Sequence, residues 1–132
     1  MTVALANTLD LETAWKRVRA DLPHRVFVRH PFELALIESD LAGWLSKLST
    51  DIAAGTYHPS SMVVCDVPKG KGAIRPGAHL AMNDRVVFAA CLGACLPYIH
   101  TSLSWSQGVV DFSYQLSKQP DDVQWLRNHF DG

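Results

Sequence analysis

The sequence predicts an α+β fold in which helices surround one small antiparallel hairpin. Apolar residues recur at helical spacing before Gly55, a β-branched run with a glycine-rich turn follows, and a long apolar segment comes next. The length of 132 residues suits one domain, and 48% hydrophobic with 19% charged residues is typical of a soluble globular protein. We therefore expect a single domain over 1–132, with N-terminal helices (1–58), a basic β-hairpin (59–82) and an apolar helix with its following segment (83–132).

The first predicted helix follows Asp10, whose carboxylate is a suitable N-cap, and stops at Pro23. Its apolar residues share one face: Leu11, Trp15, Val18 and Leu22. A cluster of five cationic residues against one acid lies between Lys16 and His30: Lys16, Arg17, Arg19, Arg25 and Arg29. Taken alone, this cluster is best explained as a solvated face.

A longer helix is expected from Pro31 to Ala54. Pro31 suits a first-turn position, and Gly55 suits the residue that ends a helix. The apolar side chains of this segment fall on one face: Ile37, Leu41, Trp44, Leu48 and Ile52.

The hairpin is predicted from two extended segments. Residues Met62–Val67 are β-branched and apolar, Gly70 and Gly72 bracket Lys71 in a tight turn, and Ala73–Ala78 returns as a second strand. Pro76 cannot donate to a sheet, so the second strand is expected to lie at an edge or to end early.

After the hairpin, Asn83 is expected to cap a third helix that Pro97 closes. The apolar side of this helix would carry Val87, Cys91, Ala94 or Cys95, and Tyr98. A strand over Val109–Leu116 and a last helix from Asp121 through Phe130 complete the predicted elements.

The three cysteines and the termini favour a cytoplasmic protein with reduced thiols and no membrane partner. Met1–Asp10 lacks the basic start and long apolar run of a signal peptide, and Val86–Ile99 is too short to span a bilayer. Cys91 and Cys95 could hold a metal with His100, but packing as small core residues explains them better.

The residues best suited to binding a ligand lie in the segment Pro68–Arg85. Glycines bring the backbone close to a ligand, arginine forks match phosphate oxygens, and lysines supply mobile charge. These features suit a triphosphate or a nucleic-acid backbone, although no Walker A spacing is present. The cationic residues of the segment, opposed by Asp84 alone, are Lys69, Lys71, Arg75 and Arg85.

The motifs around this segment occur in a specific order: Gly55-Thr-Tyr-His-Pro59, a strand, Pro68-Lys-Gly-Lys-Gly-Ala-Ile-Arg-Pro76, then Asp84-Arg-Val-Val87 and an apolar helix. This order resembles the fingers region of bacterial reverse transcriptases, the group that includes group II intron, retron and phage-defence enzymes. The resemblance covers about residues 32–116 and is most specific between Gly55 and Ala90. Ser113-Tyr-Gln-Leu116 is similar to a Ser-Tyr-Arg-Leu segment of the defence branch, with Gln115 in place of arginine.

The resemblance implies that the hairpin folds over the incoming dNTP and the RNA template. Arg75 would then bind the triphosphate, Lys69 the triphosphate or the template backbone, and Lys71 the same surface. Arg85 is a further candidate, although it and Asp84 are at least as well explained by structural roles, with Asp84 in the first turn of a helix. Tyr57 is better explained as a packed aromatic residue than as a base-stacking platform.

The family's catalytic Mg²⁺ ions are held by carboxylates of a palm domain, one pair lying in a Tyr-x-Asp-Asp hairpin. This chain has no such motif: its only Asp-Asp pair is Asp121-Asp122, which suits a helix start, and Asp111 has no partner hairpin. We therefore expect no catalytic or metal residues here, and a palm-containing partner would have to supply them.

The sequence is compatible with three functions. The chain could be a fragment of an RNA-directed DNA polymerase, with an RNA template and a DNA primer bound by the complete enzyme. Alternatively, it could be a non-enzymatic nucleic-acid-binding module derived from the fingers. A stable helical domain with a coincidental motif match is the third possibility.

Overall fold

The computed structural model describes residues 7–22 and 31–103 and the residue pairs 115–116 and 126–127. Within these residues it contains helices and two small antiparallel sheets, which confirms the α+β prediction. The elements in chain order are α1 (Leu11–Asp21), α2 (Pro31–Ser39), α3 (Leu41–Ala54), β1 (Val63–Lys69), a 3₁₀ turn (Gly70–Gly72), β2 (Ala73–His79), α4 (Met82–Leu103), β3 (Gln115–Leu116) and β4 (Leu126–Arg127).

Two helix boundaries expected from the sequence are confirmed. The Asp10 carboxylate accepts a hydrogen bond of 2.9 Å from the Thr13 backbone N–H, which satisfies a free donor at the start of α1. That bond and the nearby cationic side chains lower the pKa of Asp10. At the other boundary, Gly55 ends α3 in the left-handed conformation, with φ 72°.

The single helix expected from Pro31 to Ala54 is divided in two at Asp40. The backbone of Asp40 leaves the helical region (φ −145°, ψ 60°), and its side chain accepts a hydrogen bond from the Gly43 N–H. An aspartate that can cap a new helix competes with continuation of the old one, and the apolar period alone does not detect this. The prediction of one continuous helix was therefore wrong.

The core lies between α1, α3 and the first half of α4, with Ile37 contributed by α2. The Trp15 and Trp44 rings meet edge to face, with centroids 5.6 Å apart. The buried apolar residues of this cluster are Leu11, Ala14, Trp15, Val18, Ile37, Leu48, Ile52, Met82, Val86, Ala89 and Ala90.

Helix α4 differs from its prediction at both ends. It begins at Met82, and the Arg85 N–H bonds to the carbonyl of Ala81, so Asn83 lies inside the first turn instead of capping it. It also continues past Pro97 to Leu103. An interior proline removes one backbone hydrogen bond and disfavours the helix there, but it does not oblige the helix to end.

The buried face of α4 is also not the predicted one. Val86, Ala89 and Ala90 are buried, whereas Cys91, Cys95 and Tyr98 are exposed. The small residues Ala89 and Ala90 allow α1 to approach α4 closely, which leaves the cysteine side facing outward. The interpretation of Cys91 and Cys95 as core residues was therefore wrong.

The C-terminal expectations are tested only at four residues. Gln115 pairs with Arg127 and Leu116 with Leu126 in an antiparallel sheet, so the predicted helix from Asp121 through Phe130 is wrong at Leu126–Arg127. The sequence pattern of a short amphipathic segment does not distinguish a helix from a strand that pairs with a distant part of the chain. Asp111, Asp121 and Asp122 lie outside the described residues.

Strands β1 and β2 form the predicted hairpin: β1 begins one residue later than expected and ends two residues later, and β2 ends one residue later. Their register runs from Val63 opposite His79 to Lys69 opposite Ala73. The strands contact chiefly each other and make few contacts with the helices. The hairpin therefore extends from the helical body as a two-stranded ribbon, with Pro76 in an edge strand as expected. Among the described helices, none is long and apolar enough to cross a bilayer.

Candidate nucleic-acid interface

The tip of the hairpin is a tight 3₁₀ turn in which Lys71 itself has a positive φ of 66°. Gly72 follows with φ 75°, so the left-handed conformations fall on the second and third turn residues. A lysine in this region is strained relative to glycine, by about 1–2 kcal/mol. The turn thus holds Lys71 at the exposed end of the ribbon, where a mobile ammonium group can meet a phosphate.

The hairpin register brings two of the predicted ligands to one face. Val67 lies opposite Arg75, and Lys69 lies opposite Ala73, so positions 69 and 75 alternate onto the same side of the ribbon. Arg75 is exposed there. The register thus places positions 69 and 75 on one side of the ribbon, near the tip that Lys71 forms.

The opposite side of the ribbon is exposed and mostly apolar, with Asp66 as its one acidic residue. Val64 and Ile74 expose 64% and 66% of their surfaces, with Pro68, Pro76 and Ala78 beside them. The ribbon therefore places positions 69 and 75 on one side and a mostly apolar surface, which also carries exposed Asp66, on the other.

Arg85 lies apart from this group. Its side chain is only 11% exposed, and its Nη2 atom is 3.6 Å from Oδ2 of Asp21 at the end of α1. The structure therefore places Arg85 between α1 and α4, a position that matches the structural alternative for this residue.

The Asp84 carboxylate is the polar centre at the base of the hairpin. It is 8% exposed, accepts a hydrogen bond from the Tyr57 hydroxyl, and accepts a second bond of 3.0 Å from the Ser60 backbone N–H. Tyr57 is half-buried against the core, as expected. The Gly-x-Tyr-x-Pro and Asp-Arg motifs, which are distant in sequence, therefore meet at one carboxylate.

Sequence reasoning did not identify Ser60 as part of this centre. Its contribution is a backbone N–H, which every residue except proline carries, so residue type gives no signal. Asp84 was expected only as a first-turn acid, and its position there is confirmed.

Raising the pH is expected to destabilise the protein through Tyr57. Burial raises the pKa of the Tyr57 phenol, and the hydrogen bond and charge of Asp84 raise it further. The folded state then keeps a proton that the unfolded chain loses above about pH 10, so this contribution to stability is complete below that pH and is lost as the pH rises beyond it. Urea unfolding between about pH 9 and pH 11 should show that the free energy of unfolding falls more steeply with pH for wild type than for Tyr57→Phe. Equal slopes would contradict the shift.

The cationic cluster on α1 is largely engaged within the fold. Lys16 pairs with Glu12 at 2.9 Å, and Arg19 Nε bonds to the Glu38 carboxylate of α2. Arg17 is 4% exposed, and a Cβ atom at Gly93 would lie 2.9 Å from its Nη1, so the guanidinium lies against α4. The expectation of a solvated face is therefore wrong for Arg17. Arg25 and Arg29 lie outside the described residues.

A cleft of about 560 Å³ lies between α2, α3 and the start of α4. Its walls combine apolar residues such as Trp44 and Met82 with Glu33, Asp40 and Lys47. Asp40 is occupied in capping α3, and Lys47 bonds to Asp51 at 2.6 Å. None of the four predicted ligands lines this cleft.

The described residues do not fit a Mg²⁺ site. Among them, no group of three histidine, cysteine or acidic side chains is arranged to hold a metal ion. Both carboxylate oxygens of buried Asp84 already accept hydrogen bonds from Tyr57 and Ser60. The described residues can thus offer cations to phosphates.

No family model, curated protein or solved structure matches this chain.

Proposed function

We propose that this chain is the fingers part of an RNA-directed DNA polymerase and contributes contacts to the dNTP phosphates and the template. The observation that carries the proposal is the convergence of Tyr57, Ser60 and Asp84 at the base of the hairpin. This convergence gives a physical reason for the order of motifs on which the family resemblance rests. The Mg²⁺ ligands of the complete enzyme would belong to a palm domain outside these 132 residues.

The charges of the hairpin support a phosphate ligand. Lys71 and Arg75 are exposed on an element that extends from the body, and no ion pair within the described structure involves either residue. By contrast, Lys16, Arg19 and Lys47 each have an acidic partner. Cations that form no ion pair keep more of their positive potential available to an anionic polymer.

An exposed apolar stripe on α4 supports a partner domain. Phe88 and Tyr98 are 63% and 76% exposed, and Cys91 and Cys95 lie between them on the same side of the helix. No charged residue occurs from Val86 to Leu103. Such a surface is typical of a protein contact, and a palm domain is the partner that the proposed function requires.

A standalone nucleic-acid-binding module is the second candidate. It is favoured by the core, in which residues of all four helices already pack together without any further domain. Both candidates use the hairpin, and they differ in whether a palm is present.

The proposal is tested by titrating the protein with single-stranded RNA at about 50 and 200 mM salt. Binding should weaken steeply at the higher salt, and Lys69→Ala/Arg75→Ala should weaken it at both. Absence of binding at low salt, or binding unchanged in the double variant, would contradict the use of the hairpin in both candidates.

The two candidates are separated by the coding sequence that adjoins this chain. A palm with a Tyr-x-Asp-Asp hairpin supports the polymerase, and its absence supports the standalone module. Template-directed incorporation of dNTPs by the chain joined to that palm, lost in Arg75→Ala, would complete the test.

A further inference from the structure

The hairpin is joined to the helical body by a very small set of contacts. Its strands contact chiefly each other, and both apolar residues Val64 and Ile74 remain exposed. An isolated two-stranded ribbon of this kind has little stability of its own. Its orientation must therefore be fixed where its two ends enter the body.

Both ends of the ribbon come together at Asp84. The incoming chain passes Ser60 shortly before β1 begins at Val63, and the outgoing chain leaves β2 at His79 and enters α4 at Met82. The Asp84 carboxylate bonds to the Ser60 N–H across this junction, at 3.0 Å. The incoming end is thus tied directly to the helix that receives the outgoing end.

The anchoring helix is itself firmly held. Met82 and Val86, on either side of Asp84 along α4, are 5% and 0% exposed in the core. Tyr57 packs against the same core and donates its hydroxyl hydrogen to the other carboxylate oxygen. The tyrosine therefore limits rotation of the Asp84 side chain and keeps its second oxygen directed toward Ser60.

From this geometry we infer that Asp84, oriented by Tyr57, is a positioning residue that sets the angle at which the hairpin presents its cations to nucleic acid. The binding part of this inference rests on the proposed function, whereas the orientation of the hairpin does not. Hydrogen bonds to a charged acceptor in a partly buried site are strong enough to hold one arrangement. Losing one such bond shifts the equilibrium between the oriented and the disoriented hairpin roughly tenfold. If the oriented hairpin is the form that binds RNA, the apparent affinity equals the affinity of that form multiplied by the fraction of molecules in which the hairpin is oriented.

The orientation is measured by the distance between spin labels at Ile74→Cys on the ribbon and Ala42→Cys on α3, after the three native cysteines are replaced by serine. The reference protein should give one narrow distance distribution. Tyr57→Phe and Asp84→Asn should broaden it, because each removes or misdirects a bond at the junction. Glu12→Gln, which alters an exposed acid on α1, is the matched control and should leave it narrow. Unchanged distributions in both junction variants would overturn the inference.

The consequence for binding is measured with single-stranded RNA and the same junction substitutions in the otherwise native chain. Tyr57→Phe should weaken affinity by the same factor by which the spin-label distances show the oriented fraction to fall, at most about tenfold, while the dependence on salt stays the same, since the same cations meet the same phosphates once the hairpin is oriented. Reversible unfolding would lower the apparent affinity in the same way, so urea unfolding must show that Tyr57→Phe is fully folded under the binding conditions. A loss of affinity that matches the lost oriented fraction in fully folded protein supports positioning, and unchanged affinity overturns that part of the inference.

The two proposals fail in different ways. If wild type does not bind RNA at low salt, the proposed function fails, and the spin-label distances still decide whether Asp84 orients the hairpin. If Asp84→Asn does not fold, Tyr57→Phe decides alone, because it retains the buried ring and removes only the hydroxyl.

Discussion

Replacing Trp15 with alanine is expected to lower the free energy of unfolding by about 3–5 kcal/mol. Trp15 is 5% exposed in the core, and its ring meets Trp44 edge to face at 5.6 Å. The substitution removes a large apolar surface and leaves a cavity between α1 and α3. Because small domains are stable by only about 5–15 kcal/mol, this loss is a large part of the total stability.

Urea unfolding followed by circular dichroism measures this effect without depending on tryptophan fluorescence. Phe32→Ala is the matched control, since Phe32 is 89% exposed and should change stability by less than about 0.5 kcal/mol. A Trp15→Ala variant as stable as this control would contradict the position of the core. A double-mutant cycle with Trp44→Leu would isolate the contribution of the aromatic pair.

Arg75→Ala is expected to lower RNA affinity, whereas Arg85→Ala is expected to lower stability. Arg75 is exposed on the hairpin, so removing its guanidinium should leave stability unchanged. It should weaken RNA binding at least tenfold, because one hydrogen bond from a charged group contributes about 1.5 kcal/mol. Arg85 is 11% exposed beside Asp21, so its loss should cost about 1–2 kcal/mol of stability through lost packing.

The two variants are compared by RNA titration across a range of salt and by urea unfolding. For Arg75→Ala, the slope of log affinity against log salt should become shallower by about 0.7, as for one lost contact to a single strand. The slope for folded Arg85→Ala should match wild type. Loss of RNA affinity in Arg85→Ala with unchanged stability would instead indicate that Arg85 binds RNA.

The local elements were predictable where a short segment of chain decides them. The Asp10 cap, the Gly55 terminus and the two hairpin strands depend on residue type and on neighbours within a few positions. The break at Asp40 was missed because helix continuation and capping compete there, and the difference depends on how α2 and α3 pack. The buried face of α4 was missed because a uniformly apolar helix has no period from which to choose a side.

The candidate site was predictable as a set of charges but not as an arrangement. The sequence identified the four cations of the Pro68–Arg85 segment together. The fold separates Arg85 from the hairpin and places it beside Asp21, a residue on another helix. Only contacts between distant segments could distinguish these roles, because all four cations are alike in residue type.

By itself, the sequence determined the α+β composition, the hairpin with its basic tip, and the motif order that resembles reverse-transcriptase fingers. These features follow from local backbone preferences and from residue chemistry, which act over a few positions of the chain. The tertiary structure decided that Asp84 receives Tyr57 and Ser60, which lie 27 and 24 positions earlier. It also decided that Arg17 is buried against α4 and that Arg85 lies beside Asp21 of α1, whereas Arg75 is exposed. Burial and hydrogen-bond partners depend on how helices pack across the core, and this information is not carried by any single segment.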